Sequence, residues 1–246
     1  MTLLKTIKAL FSKHRAPLPE TPPAEGYNLW APAYDAQPDN LMLALDEALF
    51  ADLLAGWGLA GKTIVDVGCG TGRHWPTLLA QQPQQLIGYD VSEGMLARLQ
   101  QKMPTAQVYL LDASGQLTHT ADASVDGVIS TLTVAHITDV EYAIAEWCRV
   151  LKPGGHLLIT DYHPTALARG ANRSFSHQGK TVHLQNQVHP IEKIKAELGQ
   201  RGVGVLRLVE RTIDDSMRHW YEKQDALAVF QQFKGTPIIY GLLAKK

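Results

Sequence analysis

Cysteine is scarce in this chain: Cys69 and Cys148 are the two among 246 residues. Two thiols so far apart do not make a disulfide framework, and a reducing cytoplasm suits them. Neither CxxC nor HExxH spacing occurs, so no metal site is expected. Long apolar runs are missing as well; none reaches the ~20 residues that span a bilayer. Excess positive charge is also missing. Lys and Arg number 23 against 24 Asp and Glu, which argues against a nucleic-acid partner. What remains is a chain 45% hydrophobic and long enough to bury one sizeable core.

The N-terminus stands apart. "MTLLKTIKALFSKHR" places Leu3, Leu4, Ile7, Leu10 and Phe11 on one helical face, with Lys5, Lys8, Lys13 and Arg15 as its charges and no acid. Lysines interrupt its apolar stretch, so it is not a secretory signal. It reads as a helix packing on its own domain or a partner, or as a transit peptide, or as an interfacial helix contacting a membrane surface. "APLPETPPAEG" holds four prolines in eleven residues and reads as an extended linker. Residues 1–25 are therefore set apart from one domain over 26–246.

From Tyr27 to Trp57 the pattern is helical, with Leu41, Leu45, Leu49 and Leu53 at every fourth position. Short apolar runs then alternate with helical stretches. The runs are "TIVDVG" (63–68), "QLIGYD" (85–90), "QVYLLD" (107–112), "VDGVIS" (125–130) and "GHLLIT" (155–160). Such alternation implies βαβ units and a mostly parallel sheet covered on both faces. A less regular stretch follows residue 164. Then come a helix "IEKIKAELGQRG", a strand over 203–213, another helical stretch and a last strand "TPIIYGLLA".

In a parallel sheet the strands end on one edge, where ligands bind. Here they end in Gly68-Cys69-Gly70-Thr71-Gly72, in Asp90, in Asp112, in "STLTVAHITD" and in "TDYHP". No lysine follows Gly72, so the loop is not a phosphate-binding GxxxxGK[ST] loop. Its spacing is GxGxG rather than GxGxxG, and Asp66 would repel a pyrophosphate. A ligand with an ammonium group and no phosphate reverses that sign. S-adenosylmethionine is such a ligand. Asp66 suits its amino acid end, Asp90 the ribose hydroxyls, and Asp112 with the Ala113 amide the adenine.

Together "IVDVGCGTG", "GYDVSEGML", "LLDAS", "DASVDGVISTLTVAHITD" and "RVLKPGGHLLITD" resemble the successive motifs of class I S-adenosylmethionine-dependent methyltransferases, in particular the small-molecule type. The resemblance covers residues 60 to 163. It implies a three-layer, Rossmann-like α/β fold with a seven-stranded sheet whose last strand is antiparallel. It places Asp66, Gly68 and Gly70 at the methionine end, with Cys69 as a small packed residue of the same loop. Asp90 would hold the ribose, with Val91 and Met95 in the same motif, Asp112 and Ala113 would hold the adenine, and Ser130 and Thr131 would face the methionyl side. It also divides the domain into a helical lid (26–60), a cofactor-binding core (61–163) and a substrate-side segment with closing strands (164–246).

Tyr27, Trp30 and Tyr34 could close over the sulfonium or staple the lid to the core. His163, in "DYHP", is the first candidate for contacting the acceptor or its proton, and His136 the second. No DPPY or NPPY occurs, which disfavours DNA amino-methylation. The expected activity is methyl transfer to oxygen or nitrogen of a small organic acceptor, by a cytoplasmic monomer or homodimer. The alternatives are an NAD-linked oxidoreductase, a quinone or lipid methyltransferase at a membrane surface, and a catalytically silent domain that binds the cofactor.

Overall fold

The computed structural model describes residues 19–246; the amphipathic helix expected over 1–15 lies outside them. The first elements correct the linker reading. Glu20–Thr21 is a short strand (β1), and Pro23–Trp30 is already helix (α1). Proline at the first helical position loses no hydrogen bond and brings a preset φ, so the same prolines that suggest a linker start a helix. Leu41–Leu54 (α2) follows, its N-terminus capped by Asn40, whose side chain accepts from the Met42 and Leu43 amides at 3.0 and 3.2 Å.

The alternating core is as the apolar runs imply. It comprises Thr63–Val67 (β2), Trp75–Leu79 (α3), Gln85–Asp90 (β3), Glu93–Lys102 (α4), Gln107–Leu110 (β4), Val125–Thr131 (β5), Val140–Val150 (α5) and Leu151–Tyr162 (β6). Pro164–Ala168 (α6), Ser174–His177 (β7), Lys180–Leu184 (β8) and Ile191–Gln200 (α7) come next. Gly204–Thr212 (β9), Arg218–Glu222 (α8), Leu227–Phe233 (α9) and Pro237–Lys245 (β10) complete the chain.

Seven strands form one sheet in the order β4-β3-β2-β5-β6-β10-β9. β10 runs antiparallel to both β6 and β9, and the pairs β2–β3, β2–β5, β3–β4 and β5–β6 are parallel. Successive residues feed opposite faces. Val128, Leu157 and Ile159 join Ile144 and Trp147 under α5 and α7. Ile129 and Leu158 join Phe50, Leu53 and Trp75 under α2 and α3. Because both faces are covered, the strands read as continuous apolar runs rather than alternating ones.

The stretch after 164 is more regular than its sequence suggests. β7 and β8 form a hairpin through Gln178-Gly179, both at positive φ (48° and 76°), and β1 pairs parallel to β8. This second, three-stranded sheet and α1 make a cover over the strand ends. Asn28 fastens the cover, its Oδ1 accepting from Ser92 Oγ at 2.7 Å and from the Gly94 amide at 2.8 Å. No helix among the described residues is long and apolar enough to cross a membrane.

Candidate active site

A cavity of about 300 Å³ opens at the ends of β2, β3, β4 and β5, beneath α1. Of the residues singled out from sequence, Tyr34, Gly68, Gly70, Asp90, Val91, Met95, Asp112, Ala113 and His136 line it. Tyr27 and Thr131, also singled out from sequence, line it too, and Leu132, Thr133 and Arg173 complete much of its wall.

The glycine loop is built for close approach. Gly68 and Gly70 have φ of +77° and +54°. A Cβ on Gly68 would sit 2.0 Å from Thr133 Oγ1, whereas a Cβ on Gly70 would meet nothing within 4 Å. Bare backbone therefore faces the cavity at Gly70. The loop is tied to the next strand through Asp90, which accepts from the Gly70 and Ser92 amides at 2.8 and 2.9 Å. Burial pushes the Asp90 carboxyl up to about 6, against the lowering effect of those amides. Asp112 is exposed, and one of its oxygens accepts from the Ser114 amide and hydroxyl at 2.7 and 2.6 Å.

Asp66 lies behind the loop rather than on the cavity wall. Its Oδ2 accepts from Trp75 Nε1 at 2.8 Å, and its Oδ1 is buried without a hydrogen bond. Burial, with Asp90 adding repulsion, pushes its carboxyl up to about 7. Deeper still, Asp46 of α2 accepts from the half-buried Arg73, from His74 at 2.9 Å and from Thr160. Burial alone would raise the Asp46 carboxyl; the His74 hydrogen bond and the Arg73 charge outweigh it and hold it at about 2. This network braces the turn after the loop, and no motif or residue spacing signals it.

Besides Asp66, three residues of the expected site lie off the cavity wall, Cys69 among them as the small packed residue expected of it. Ser130 is fully buried within β5, and its hydroxyl faces no hydrogen-bond partner; Thr131 and Leu132, the next two residues, reach the cavity. Cys69 is buried on the far side of the loop, where its thiol is pushed well up by burial. His163 is outside the cavity. Its Nδ1 accepts from the Thr165 amide at 3.1 Å, capping α6, and its Nε2 donates to Glu210 at 2.7 Å. The proline after it starts a helix, and the strand end therefore turns the imidazole toward β9.

His136 does reach the cavity, but not as a free base. Its Nδ1 donates to the Gln185 carbonyl at 2.7 Å, which leaves Nε2 as acceptor for Tyr27 and Arg173, each at 3.0 Å. Enclosure by protein, with the Arg173 charge adding to it, pushes the imidazole down to about 3.

Arg173 belongs to no motif, and sequence reasoning misses it. It is 5% exposed, on the approach to β7. Its Nη1 donates to Tyr27, to His136 and, at 2.6 Å, to the Leu132 carbonyl. Leu132 is held at φ +52°, a strained conformation for a branched side chain, and this turns its carbonyl onto the guanidinium. Arg173, Tyr34 and Leu132 also form part of the wall of a second cavity of about 250 Å³. Trp30 and Phe175, stacked with centroids 4.6 Å apart, line that second cavity as well.

A family model described as a methyltransferase domain matches residues 65–159. An O-methyltransferase of Aspergillus nomiae is 31% identical over 61% of this chain and 68% of its own length. An uncharacterized methyltransferase of Emericella nidulans is 29% identical over 83% of this chain and 85% of its own. Of an O-methyltransferase of Penicillium expansum, the match spans 38% of the length. An S-adenosylmethionine-dependent methyltransferase from Mesorhizobium loti shares the fold, with a TM-score of 0.61 at 20% identity over 81% of this chain and 96% of that one. The chain belongs to the class I S-adenosylmethionine-dependent methyltransferases, and it is an enzyme of that class.

Proposed function

We propose that the chain transfers a methyl group from S-adenosylmethionine to an oxygen or nitrogen of a small organic molecule. The observation that carries this reading is the charge of the first cavity. Its wall carries the carboxylates of Asp90 and Asp112, with Asp66 behind the glycine loop, against one cation among the described lining residues, Arg173. A pyrophosphate would be repelled; an ammonium would be held.

The residues fit the cofactor. The buried, unpartnered Oδ1 of Asp66 is an acceptor in want of a donor, and the open face of Gly70 leaves room for a ligand against the backbone. The loop backbone would hold the amino acid end, with the charge of Asp66 acting on its ammonium from behind the loop, Asp90 the ribose and Asp112 with Ala113 the adenine. S-adenosylmethionine, when bound, supplies an electrophilic methyl group. The chain's own part is to position the acceptor and exclude water, which suits an in-line displacement. Tyr27 and Tyr34 roof the cavity for that purpose. Residues 26–60 and 164–190 would then act as cover and acceptor wall around a core of 61–163. Two free, buried thiols support a reducing, cytoplasmic setting.

The test is turnover of methyl-labelled S-adenosylmethionine with the small-molecule fraction of a cell extract. The expected result is S-adenosylhomocysteine together with a labelled product of low mass. Label in protein, nucleic acid or lipid instead would contradict the acceptor class.

A further inference from the structure

Three residues that line the second cavity each carry a buried polar atom with no hydrogen-bond partner: Arg173 Nη2, Ser174 Oγ and Gln224 Oε1. Each belongs to a residue at least nine-tenths buried, at 5, 6 and 6% exposure. Native interiors leave few such atoms, and three on one wall mark a place where a ligand completes the bonding. The rest of that cavity is largely aromatic and aliphatic, with Trp30, Phe175 and Met42 among its residues.

The bonding of the guanidinium is incomplete in the same place. Arg173 is a permanent cation. Its nearest carboxylate is Asp161, 4.0 Å from Nη2, and both Asp161 oxygens already accept backbone amides, from Ala135 at 2.7 Å and Tyr162 at 2.6 Å. Burial pushes Asp161 up to about 6, so it is ionised near pH 7, but it faces the guanidinium at 4.0 Å without a hydrogen bond to it. The other neighbours, Tyr27, Tyr162 and His136, are neutral near pH 7. A buried guanidinium whose Nη2 makes no hydrogen bond is costly, and an anion bonding there relieves that cost.

We propose that the second cavity is the acceptor site and that the acceptor is a carboxylic acid with an apolar body. This rests on the methyltransferase reading of the first cavity. The carboxylate lies on Arg173, at the boundary that Arg173 shares between the two cavities, with Ser174 donating to it. The apolar body lies against Trp30, Phe175 and Met42, and a donor group on it meets Gln224 Oε1. The proposal also accounts for the lack of a free base among the described residues of the site. A carboxylate oxygen takes the methyl group with its own electron pair, the pair of the methyl–sulfur bond stays on sulfur, and no proton has to be removed.

The experiment is made on the full chain at pH 7.5 with S-adenosylhomocysteine bound. Straight-chain alkanoic acids of four to twelve carbons and phenylalkanoic acids are compared by thermal shift and calorimetry with their amides and with matched phenols. The expected result is stabilisation by acids, with Kd about tenfold or more below that of the amides, as a hydrogen bond between charged groups gives. Arg173→Gln is expected to abolish that preference and Arg173→Lys to keep part of it. Acids binding no better than amides across the series would overturn the proposal, as would a preference for phenols or a preference surviving in Arg173→Gln. The wild-type comparison stands whether or not the variants fold. Absence of S-adenosylhomocysteine binding at the outset would sink the methyltransferase reading itself, which separates the two failures.

Discussion

The carboxylate of Asp90 accepts the backbone amide of Gly70 at 2.8 Å, so the end of β3 and the glycine loop of β2 are one hydrogen-bonded unit. An acid that shapes the loop and also lines the cavity has two effects when removed. Asp90→Ala is expected to weaken S-adenosylhomocysteine binding by about 1.5–3 kcal/mol, the range for hydrogen bonds to a charged group. Calorimetry checks it. Wild-type affinity in the variant would mean the ribose lies elsewhere.

Asp66 makes binding and stability depend on pH in opposite directions. Its carboxyl is raised to about 7 in the fold, against about 4 when unfolded. Between those values the native state holds a proton that the unfolded chain has released, so the ligand-free protein loses stability as pH rises from about 4 to 7. Asp66→Asn removes this effect. The variant is expected to gain on the wild type over that window by an amount on the order of a few kcal/mol, and to gain no more above it. Binding has the other sign, because an ammonium selects the ionised carboxylate. Wild-type affinity for S-adenosylhomocysteine is expected to rise roughly tenfold or more from pH 5.5 to 7.5, and to be flatter in Asp66→Asn. Parallel profiles for the two proteins would mean that the charge of Asp66 does not act on the ligand.

The two glycines of the loop separate folding from binding. Gly68→Ala forces a Cβ to within 2.0 Å of Thr133 Oγ1 at positive φ, and is expected to cost about 1–3 kcal/mol of stability. Gly70→Val puts its side chain into open space, so the stability loss is about 1–2 kcal/mol, the cost of positive φ alone. Its binding loss is expected to be the larger, about tenfold or more, because the added side chain fills the cavity. Chemical denaturation and calorimetry on both variants test this ordering; a Gly70 variant that binds normally would contradict it.

His163 is a structural residue by its contacts. His163→Ala removes the acceptor for the Thr165 amide at the start of α6 and the donor to Glu210, and is expected to lower stability by about 1 kcal/mol. Turnover with the extract fraction should stay within twofold of wild type. A large fall in turnover at wild-type stability would return His163 to the site.

Much of the core is legible in the sequence because its signals are local and physical. Residues such as Val128 and Ile129 go to opposite, equally apolar faces, and this leaves continuous runs. Gly70, Asp90 and Asp112 fall where parallel strands end, so order alone brings them to one edge. What the sequence conceals depends on pairings across long separations. The β7–β8 hairpin is short and mixed in polarity, and only "QG" at its turn signals it. Arg173 matters because of Leu132, Tyr27 and Asp161, none of which is near it in sequence. His163 departs from expectation for a similar reason: it does follow a strand end, but the proline-started helix after it decides where the ring points. Ser130 and Thr131 differ by one residue, and in a strand that is the difference between the interior and the cavity.

The most direct measurement is calorimetric titration of the full chain with S-adenosylmethionine, S-adenosylhomocysteine and NAD. The expected result is micromolar binding of the first two and none of the third, with binding lost or weakened in Asp90→Ala. Binding of NAD alone would contradict the roles given to Asp66, Asp90 and the glycine loop together, and with them the proposed methyl transfer.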